Sequence, residues 1–392
     1  MRLLPQRFPA IHALPYLALY GAIFAGIGVV QPFLPAFLGS RGLTAEQIAL
    51  ALALGSGVRL VAGPAAGRWA DSLSDPRLLL GLMALVAAAA ASGFLVVAGF
   101  LGFLAAQLLL NAASAPLVPL SDTLCLAAAR DGRFDYGPVR AGGSVAYILA
   151  AILAGWLVGR SGYGIVPWLI AALMLASLLA AMLLPRPVAA GPRRGSGGFR
   201  ATLRLPGFAR LLILSGLIQS SHAAYYGFGS IHWAAAGHSA STIGLLWAEG
   251  VVGEVILFYL GRHLVGRIGP RGLALLAAGS GVLRWTILSS TTWLPALVAT
   301  QWLHSFTFGA QHLAAMHLLL RLVPASQTGT AQSLHAALGV GLMTGAMTLA
   351  CGPLYRSFGG GMFWVMAGLC ALAIPLALSL RLPEKGVARL AE

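Results

Sequence analysis

The middle of the chain changes character at residue 185. Residues 165–184 read IVPWLIAALMLASLLAAMLL, and residues 185–206 read PRPVAAGPRRGSGGFRATLRLP. The first segment is apolar and uncharged over about 20 residues, the length that an α-helix needs to cross a bilayer. The second is rich in proline, glycine and arginine, which interrupt regular structure. A membrane helix followed by a polar linker is therefore predicted here.

Similar apolar runs lie on both sides of this linker. Each run must be helical, because lipid offers the backbone no hydrogen-bond partners. The predicted runs are 14–38, 45–70, 78–98, 101–128, 139–159 and 165–184, then 208–232, 242–261, 272–290, 294–320, 329–352 and 361–381. The pattern predicts an all-α membrane protein with twelve transmembrane helices. It has an N-terminal six-helix bundle at 1–184, a cytoplasmic linker at 185–206 and a C-terminal six-helix bundle at 207–392, an internal repeat common in transporters.

The composition excludes a soluble protein. Of the 392 residues, 58% are hydrophobic and 9% are charged, whereas soluble domains carry roughly 25% charged residues. The net charge of +15 is spread over short gaps between apolar runs, so no nucleic-acid partner is expected. The three cysteines have no metal-ligand spacing, and we expect neither a metal ion nor a disulfide.

The distribution of lysine and arginine predicts the orientation. With the N-terminus inside, 20 of the 25 basic residues fall in cytoplasmic segments and 3 in outer loops. Because cytoplasmic loops carry the excess of basic residues, both termini are predicted to be cytoplasmic. Arginine outnumbers lysine 24 to 1, which is typical of a high-GC bacterial genome, so we expect a bacterial inner membrane.

The N-terminal half has three charged residues at membrane positions: Arg59, Asp122 and Arg140. Intramembrane charges are costly and mark functional sites by default. A lone buried aspartate would be unfavourable unless it is protonated or paired. We therefore expect Asp122 to pair with Arg140 or Arg59 and to contribute with them to substrate binding. The alternative is an ion pair that only steadies helix packing.

The C-terminal half places Glu254, Arg284 and His304 on three consecutive predicted helices. Each lies roughly 15–20 Å from a span end at 1.5 Å per residue, near the bilayer midplane. An acid, a base and an imidazole at one depth are what a proton relay needs. These three residues are predicted to couple transport to protons, and a static buried network is the alternative.

Uncharged polar and aromatic side chains recur along several spans. A polar stripe on an apolar helix is typical of a cavity-facing surface, whereas an aromatic stripe more often reflects packing. The predicted substrate-binding residues of this kind are Tyr20, His222 and Tyr226. Further polar positions on these faces are Gln219, Gln311, Gln332 and His335.

Two segments carry a family signal. Gly67-Arg68-Trp69-Ala70-Asp71, followed by Arg77, resembles the G-x-x-x-D loop of the major facilitator superfamily, with Ser72 where a basic residue is usual. Residues 135–144, DYGPVRAGGS, resemble the D-Y-G-x-x-R-x-x-G-S segment of the phenylpropionate permease family and of lactose-permease-like proton symporters. The resemblance implies the major facilitator fold with alternating access. It also implies a gating loop that contains Gly67, Asp71 and Arg77.

The resemblance also implies residue roles. In lactose-permease-like symporters an acid on helix 4 pairs with an arginine on helix 5, and Asp122 and Arg140 match these positions. An arginine on helix 9 and a histidine on helix 10 are matched by Arg284 and His304. The helix 10 carboxylate of that family is replaced by Thr307. Glu254 or Asp122 would then carry the proton.

The functional hypothesis is proton-coupled uptake of a small aromatic carboxylate such as phenylpropionate. It requires the proton gradient but no cofactor, and we expect a monomer in the lipid bilayer. Helix 5 lacks the Gly-Pro pair frequent in drug exporters, which favours uptake. A nucleoside, sugar or drug carrier is the alternative within transport. A membrane enzyme is disfavoured by the short loops, and a receptor or assembly factor by the polar residues at the midplane.

Overall fold

The structure is a computed structural model that describes residues 12–130, 134–186, 198–324 and 327–380. The elements in these ranges are helical, and no strand occurs among them. The first seven helices are α1 Leu14–Ser40, α2 Ala45–Ser72, α3 Pro76–Val96, α4 Gly99–Ser114, α5 Leu117–Arg130, α6 Tyr136–Ser161 and α7 Val166–Leu183. The remaining helices are α8 Phe199–Leu203, α9 Phe208–Ser220, α10 Ser230–Ala235, α11 Ala240–Ser290, α12 Leu294–His304, α13 Gln311–Leu322, α14 Thr328–Leu334, α15 Met343–Phe358 and α16 Phe363–Leu378.

The membrane-crossing segments agree with the predicted runs. Within the described residues, nine helical segments are long and apolar enough to cross a membrane, one of which is the 51-residue stretch Thr328–Leu378 that includes α14, α15 and α16. That stretch contains two of the predicted runs. The runs predicted at 208–232 and 294–320 are also helical but are interrupted, so they fall outside the nine. Counted in this way, all twelve predicted segments are present.

Proline and glycine account for two departures from the predicted runs. The run at 101–128 is divided into α4 and α5 by a turn at Ala115 and Pro116, because proline has no N–H to donate to the preceding turn. The runs at 242–261 and 272–290 both lie within α11, where the gap predicted between them is reduced to one break at Gly269, a non-helical residue with φ 66° and ψ 177°. Glycine adopts this positive φ without a steric penalty.

A different departure lies in three segments with the wider π-helical winding. The sequence predicts uniform α-helix there, but Tyr225–Gly229, Ser305–Ala310 and His335–Leu342 are π-helical. Such segments are rare and are frequent at functional sites. All three belong to the second compact unit described below.

The chain divides into two compact units. The first comprises the described parts of Met1–Leu43, Leu54–Pro192 and Ser239–Ala248. In it α1 packs against α6 and α7, and α3 packs against α4 and α7. A Cβ atom on Gly28 of α1 would lie 2.6 Å from the carbonyl oxygen of Tyr147 on α6. A small residue at this crossing therefore lets the two backbones approach closely, as is common between membrane helices.

The second unit comprises the described parts of Thr44–Ala53, Arg193–His238 and Glu249–Glu392. Here α9 packs against α13, α15, α16 and the π-helical segment His335–Leu342. Alanine and leucine side chains fill its core, for example Ala274, Ala277 and Leu318, which are fully buried. The predicted linker at 185–206 contains the short helix α8, and its residues 187–197 lie outside the described ranges. The predicted domain limits stay a prediction.

Candidate functional site

The first unit holds a cluster of polar side chains centred on Asp122. Tyr20 and Tyr136 donate hydrogen bonds to Asp122 Oδ1 at 2.5 and 3.0 Å. Arg140 Nε lies 3.5 Å from the same oxygen, and the side chains of Asp122 and Arg140 are each 31% exposed. The predicted pairing of Asp122 with Arg140 is therefore present in the geometry.

Small residues of the DYGPVRAGGS segment position Arg140. A Cβ on Gly143 would lie 2.9 Å from the Phe24 ring, so a larger residue here would push α6 away from α1. With α6 this close, the guanidinium carbon of Arg140 sits 4.2 Å from the centroid of the Phe24 ring and 5.5 Å from that of Tyr20. The guanidinium of Arg140 thus lies against two aromatic rings, those of Phe24 and Tyr20, and close to the carboxylate of Asp122.

The second unit holds a different charged group, Arg284, whose side chain is fully buried. Its Nη1 donates to His304 Nδ1 at 3.0 Å and to Thr307 Oγ1 at 3.4 Å, and its Nη2 donates to Gln301 Oε1 at 3.3 Å. Its Nε has no hydrogen-bond partner among the described residues. Arg284 takes part in none of the ion pairs among the described residues. No described carboxylate oxygen therefore lies within 4 Å of its guanidinium nitrogens.

Aromatic rings surround this arginine. Its guanidinium carbon lies 4.6 Å from the centroid of the Tyr225 ring and 4.5 Å from that of the Trp285 ring. Cation–π attraction partly replaces the missing anion. A desolvated guanidinium without an anion remains unfavourable, so this arrangement can attract one.

Hydrogen bonding fixes the tautomers of two histidines. Arginine can only donate, so His304 Nδ1 is the acceptor, and a neutral His304 carries its proton on Nε2. That Nε2 lies 4.0 Å from Glu254 Oε2. His222 Nδ1 lies 3.2 Å from the carbonyl oxygen of Ile218, and its Nε2 lies 3.0 Å from Thr307 Oγ1. A neutral His222 therefore donates through Nδ1.

A cavity of about 410 Å³ lies in the second unit. Its lining residues are Ser215, Gln219, Tyr226, Phe308, Gln311, His312, Ala315, Met316, Gln332, His335, Ala336, Val340 and Thr344. The volume falls in the range of small-molecule pockets. Each of the three π-helical segments contributes to the lining, through Tyr226, Phe308 and His335 respectively.

Two rings connect the cavity to the arginine. Phe308 lines the cavity and stacks on His304, with centroids 5.6 Å apart, and Tyr226 lines it and stacks on His222, with centroids 5.7 Å apart. His304 bonds Arg284 and His222 bonds Thr307, so the rings of Tyr226 and Phe308 link the cavity to the cluster around the buried charge.

Three predicted residues lie apart from these clusters. Arg59 is exposed on α2 and makes no ion pair with any described residue, so the predicted alternative of an Asp122–Arg59 pair is not realised. Gly67 and Asp71, predicted in a loop, lie inside α2, which continues to Ser72. The loop was predicted to begin at Gly67, but the helix continues to Ser72. After Gly67, the next helix-breaking sequence is Ser-Asp-Pro at 74–76.

The third member of the predicted gating loop, Arg77, pairs with Asp75. Its Nη2 lies 2.6 Å from Asp75 Oδ2, its backbone N–H donates to Asp75 Oδ1, and its Nη1 donates to the carbonyl oxygen of Leu184. Asp75 thereby caps the start of α3. The hydrogen bonds from Arg77 hold the pKa of the Asp75 carboxyl below its usual range.

Comparison with known proteins identifies the family. Residues 14–366 match the MFS_1 like family. The chain belongs to the MFS_1 like family. This transporter is 37% identical over 354 residues to a probable 3-phenylpropionic acid transporter of Escherichia coli (strain K12), covering 89% of this chain and 92% of that protein. It is 28% identical to the maltose permease of Geobacillus stearothermophilus over 92% of both chains.

Solved structures share its fold. The nucleoside transporter NupG superposes with a TM-score of 0.80 at 14% identity, covering 94% of this chain and 99% of that one. A bacterial homologue of the human lysosomal transporter Spinster, inward-facing and unoccupied, gives a TM-score of 0.71 at 14% identity, covering 95% and 96%. This transporter thus has the major facilitator fold with twelve membrane-crossing segments. It is a multi-pass membrane transporter and not an enzyme.

Several site residues of this transporter were not predicted from sequence. Tyr136 was noted only as part of a motif, yet it donates to Asp122. Gln301 accepts hydrogen bonds from both Arg284 and Tyr225. Gln301, His304 and Thr307 are spaced three residues apart on one helix, and this spacing places them on the same side. That periodicity was the available signal.

Proposed function

We propose that this transporter performs secondary active uptake of small aromatic carboxylates, such as 3-phenylpropionate, coupled to the proton gradient. Arg284 is the partner of the substrate carboxylate. Glu254 and His304 handle the proton. Alternating access of a monomer in a bacterial inner membrane, with both termini cytoplasmic, moves the solute inward.

One observation carries this proposal: Arg284 is a fully buried guanidinium with no described carboxylate partner and with an unpartnered Nε. Guanidinium binds a carboxylate through two parallel N–H donors. The edge formed by Nε and Nη2 offers such a pair, since Nη2 makes only the 3.3 Å contact to Gln301. Arg140, by contrast, already faces Asp122.

The surroundings of Arg284 favour an aromatic acid. Tyr225, Trp285 and Phe308 supply flat apolar faces beside the charge, and aromatic pairs contribute beyond the area that they bury. The 37% identical relative is described as a probable 3-phenylpropionic acid transporter, which supports the same substrate class.

The proton steps follow from the placement of His304. The neutral imidazole presents its Nε2 proton toward Glu254, while its Nδ1 accepts from Arg284. A second proton on His304 would have to occupy Nδ1 and would break the bond to Arg284. Glu254 is therefore the group that can exchange a proton while the arginine remains bound. A proton that travels with the carboxylate makes the net transfer electroneutral.

Arg284 is fully buried and is not among the residues that line the cavity, so substrate entry requires side chains near it, such as the rings of Tyr226 and Phe308, to move. Both rings belong to π-helical segments, which are frequent at functional sites. Their movement is the step that we assign to substrate entry into the arginine site.

The test is uptake into proteoliposomes of labelled 3-phenylpropionate, competed with unlabelled 3-phenylpropionate or with uncharged 3-phenylpropionamide. We expect competition by the acid and at least tenfold weaker competition by the amide. Arg284→Gln should abolish the difference. Arg160→Gln is the matched control, because Arg160 also lies over an aromatic ring, Trp156 at 4.2 Å, but at the end of α6. Equal competition by acid and amide in the wild type would reject the carboxylate proposal.

A neutral polar solute such as a nucleoside or sugar is the second candidate. The uncharged amide and imidazole groups of the cavity favour it. The same assay with labelled uridine and maltose distinguishes the two, since a neutral substrate would be transported by Arg284→Gln as well as by the wild type.

A further inference from the structure

The cavity of the second unit contains two buried polar atoms that lack hydrogen-bond partners. Gln311 Oε1 and His335 Nε2 have none among the described residues. The side chains are nearly inaccessible, with Gln311 1% and His335 7% exposed, and both residues line the cavity. Leaving such buried atoms unpaired is unfavourable, so a bound group that pairs with them is stabilised.

The orientation of the Gln311 amide does not alter this conclusion. Its Nε2 donates to Ser215 Oγ at 2.9 Å. If the amide were turned over, its oxygen would accept from Ser215 and its nitrogen would be the unpaired atom. His335 Nε2 is likewise a donor or an acceptor according to its tautomer. A group that both donates and accepts pairs with both atoms whenever at least one of them is a donor.

The residues that line the cavity carry no formal charge unless His312 or His335 is protonated. Its lining has amide, hydroxyl and imidazole groups but no carboxylate, guanidinium or ammonium. It is therefore unsuited to the acid group of the substrate. A hydroxyl is neutral, donates and accepts, and fits beside apolar groups such as Phe308, Met316 and Val340.

We propose that the cavity is a second substrate subsite that binds a ring hydroxyl through Gln311 and His335, so that hydroxylated aromatic carboxylates are preferred. This deepens the proposed function and rests on it. Phe308 lies in the cavity wall and stacks on His304, which bonds Arg284. An aromatic acid with its carboxylate at Arg284 would extend past Phe308 and place its ring substituent among these polar groups.

The experiment compares ligands of nearly equal size. Uptake of labelled 3-phenylpropionate is competed with the ortho, meta and para isomers of hydroxyphenylpropionate and of methylphenylpropionate. At least one hydroxyl isomer should compete about 5- to 10-fold better than its methyl counterpart, as one net hydrogen bond predicts. In Gln311→Met and in His335→Phe, the hydroxyl isomer and its methyl counterpart should compete equally well.

Gln332→Met is the matched control, because Gln332 lines the same cavity but is exposed; its hydroxyl preference should equal that of the wild type. If no hydroxyl isomer exceeds its methyl counterpart while 3-phenylpropionate is transported, the subsite is rejected and the proposed function stands. Water alone would then satisfy the two atoms. If no carboxylate competes at all, the proposed function itself fails.

Discussion

Each unit contains an arginine on a membrane-crossing segment, and the two arginines have contrasting surroundings. In the first, Arg140 faces the carboxylate of Asp122, is about one-third exposed and rests on Phe24. In the second, Arg284 is fully buried, bonds only to neutral groups and faces no described carboxylate. The carboxylate of Asp122 pairs with Arg140, whereas Arg284 has one donor, Nε, with no hydrogen-bond partner among the described residues. In our proposal, the first arginine stabilises structure and the second binds an anionic ligand.

The largest expected effect compares Arg284→Gln with Arg140→Gln. Charged hydrogen bonds contribute about 1.5–3 kcal/mol, so Arg284→Gln should weaken 3-phenylpropionate binding by about 10- to 150-fold. Arg140→Gln should weaken it less than about 10-fold. Trp285 lies 4.5 Å from the Arg284 guanidinium, so intrinsic fluorescence titration in detergent can measure both affinities.

The tryptophan signal has its own control. In Trp285→Phe the ligand-dependent fluorescence change should fall, while transport continues. A loss of affinity in Arg140→Gln that equals or exceeds the loss in Arg284→Gln would reverse the assignment and make the first unit the anion site.

Next in size is the effect of removing an acid from each cluster. With an inward gradient of one pH unit, one proton per carboxylate supports about tenfold accumulation. Glu254→Gln should reduce the accumulation ratio to one while substrate exchange across the membrane continues. Asp122→Asn should retain accumulation. Concentrative uptake by Glu254→Gln would exclude Glu254 from proton coupling.

A smaller effect concerns the strength of the Asp122–Arg140 pair. Partly exposed ion pairs are worth about 0.2–1 kcal/mol, and the 3.5 Å separation of Nε and Oδ1 is long. A double-mutant cycle with Asp122→Asn and Arg140→Gln, followed by thermal unfolding, should give a coupling energy below about 1 kcal/mol. A coupling of several kcal/mol would mean that the pair is as desolvated as Arg284.

The smallest effect lies outside the membrane, at Asp75. Its pKa is lowered by the hydrogen bonds from Arg77, so its stabilising contribution is present above the unfolded pKa of about 3.9 and is lost as the pH falls through the lower folded pKa. Asp75→Asn should lower Tm by about 2 °C or less at pH 7. The two proteins should converge in Tm below about pH 4. A difference that grows on acidification would contradict this pairing.

Hydropathy was enough to predict the helices, because lipid admits no other backbone arrangement over these lengths. Breaks were predictable only where proline or glycine marks them, as at Pro116 and Gly269. The π-helical segments carry no such mark. Their winding depends on which neighbouring helices the widened turn contacts, and this is a property of tertiary packing.

Most charged residues of the candidate site could be predicted from the sequence, but most of the contacts among the site residues could not. The resemblance pointed to Asp122 with Arg140 and to Arg284 with His304, and the geometry brings both pairs together. The cost of intramembrane charge also pointed to Arg59, which lies on α2 and makes no ion pair with any described residue. The partners of Arg284, such as Gln301 and Tyr225, could not be predicted, because they come from helices that are distant in sequence.

The π-helical segments have a consequence for engineering. Each contains surplus backbone relative to an α-helix of the same rise, and each includes a glycine: Gly227, Gly309 and Gly339. Deleting one residue from such a segment would let it rewind as regular α-helix and would turn the preceding side chains by about 100°. The extra residue therefore gives the backbone additional length at this point. Single-residue deletions offer a way to restrict the cavity to one conformation without adding side-chain volume to it.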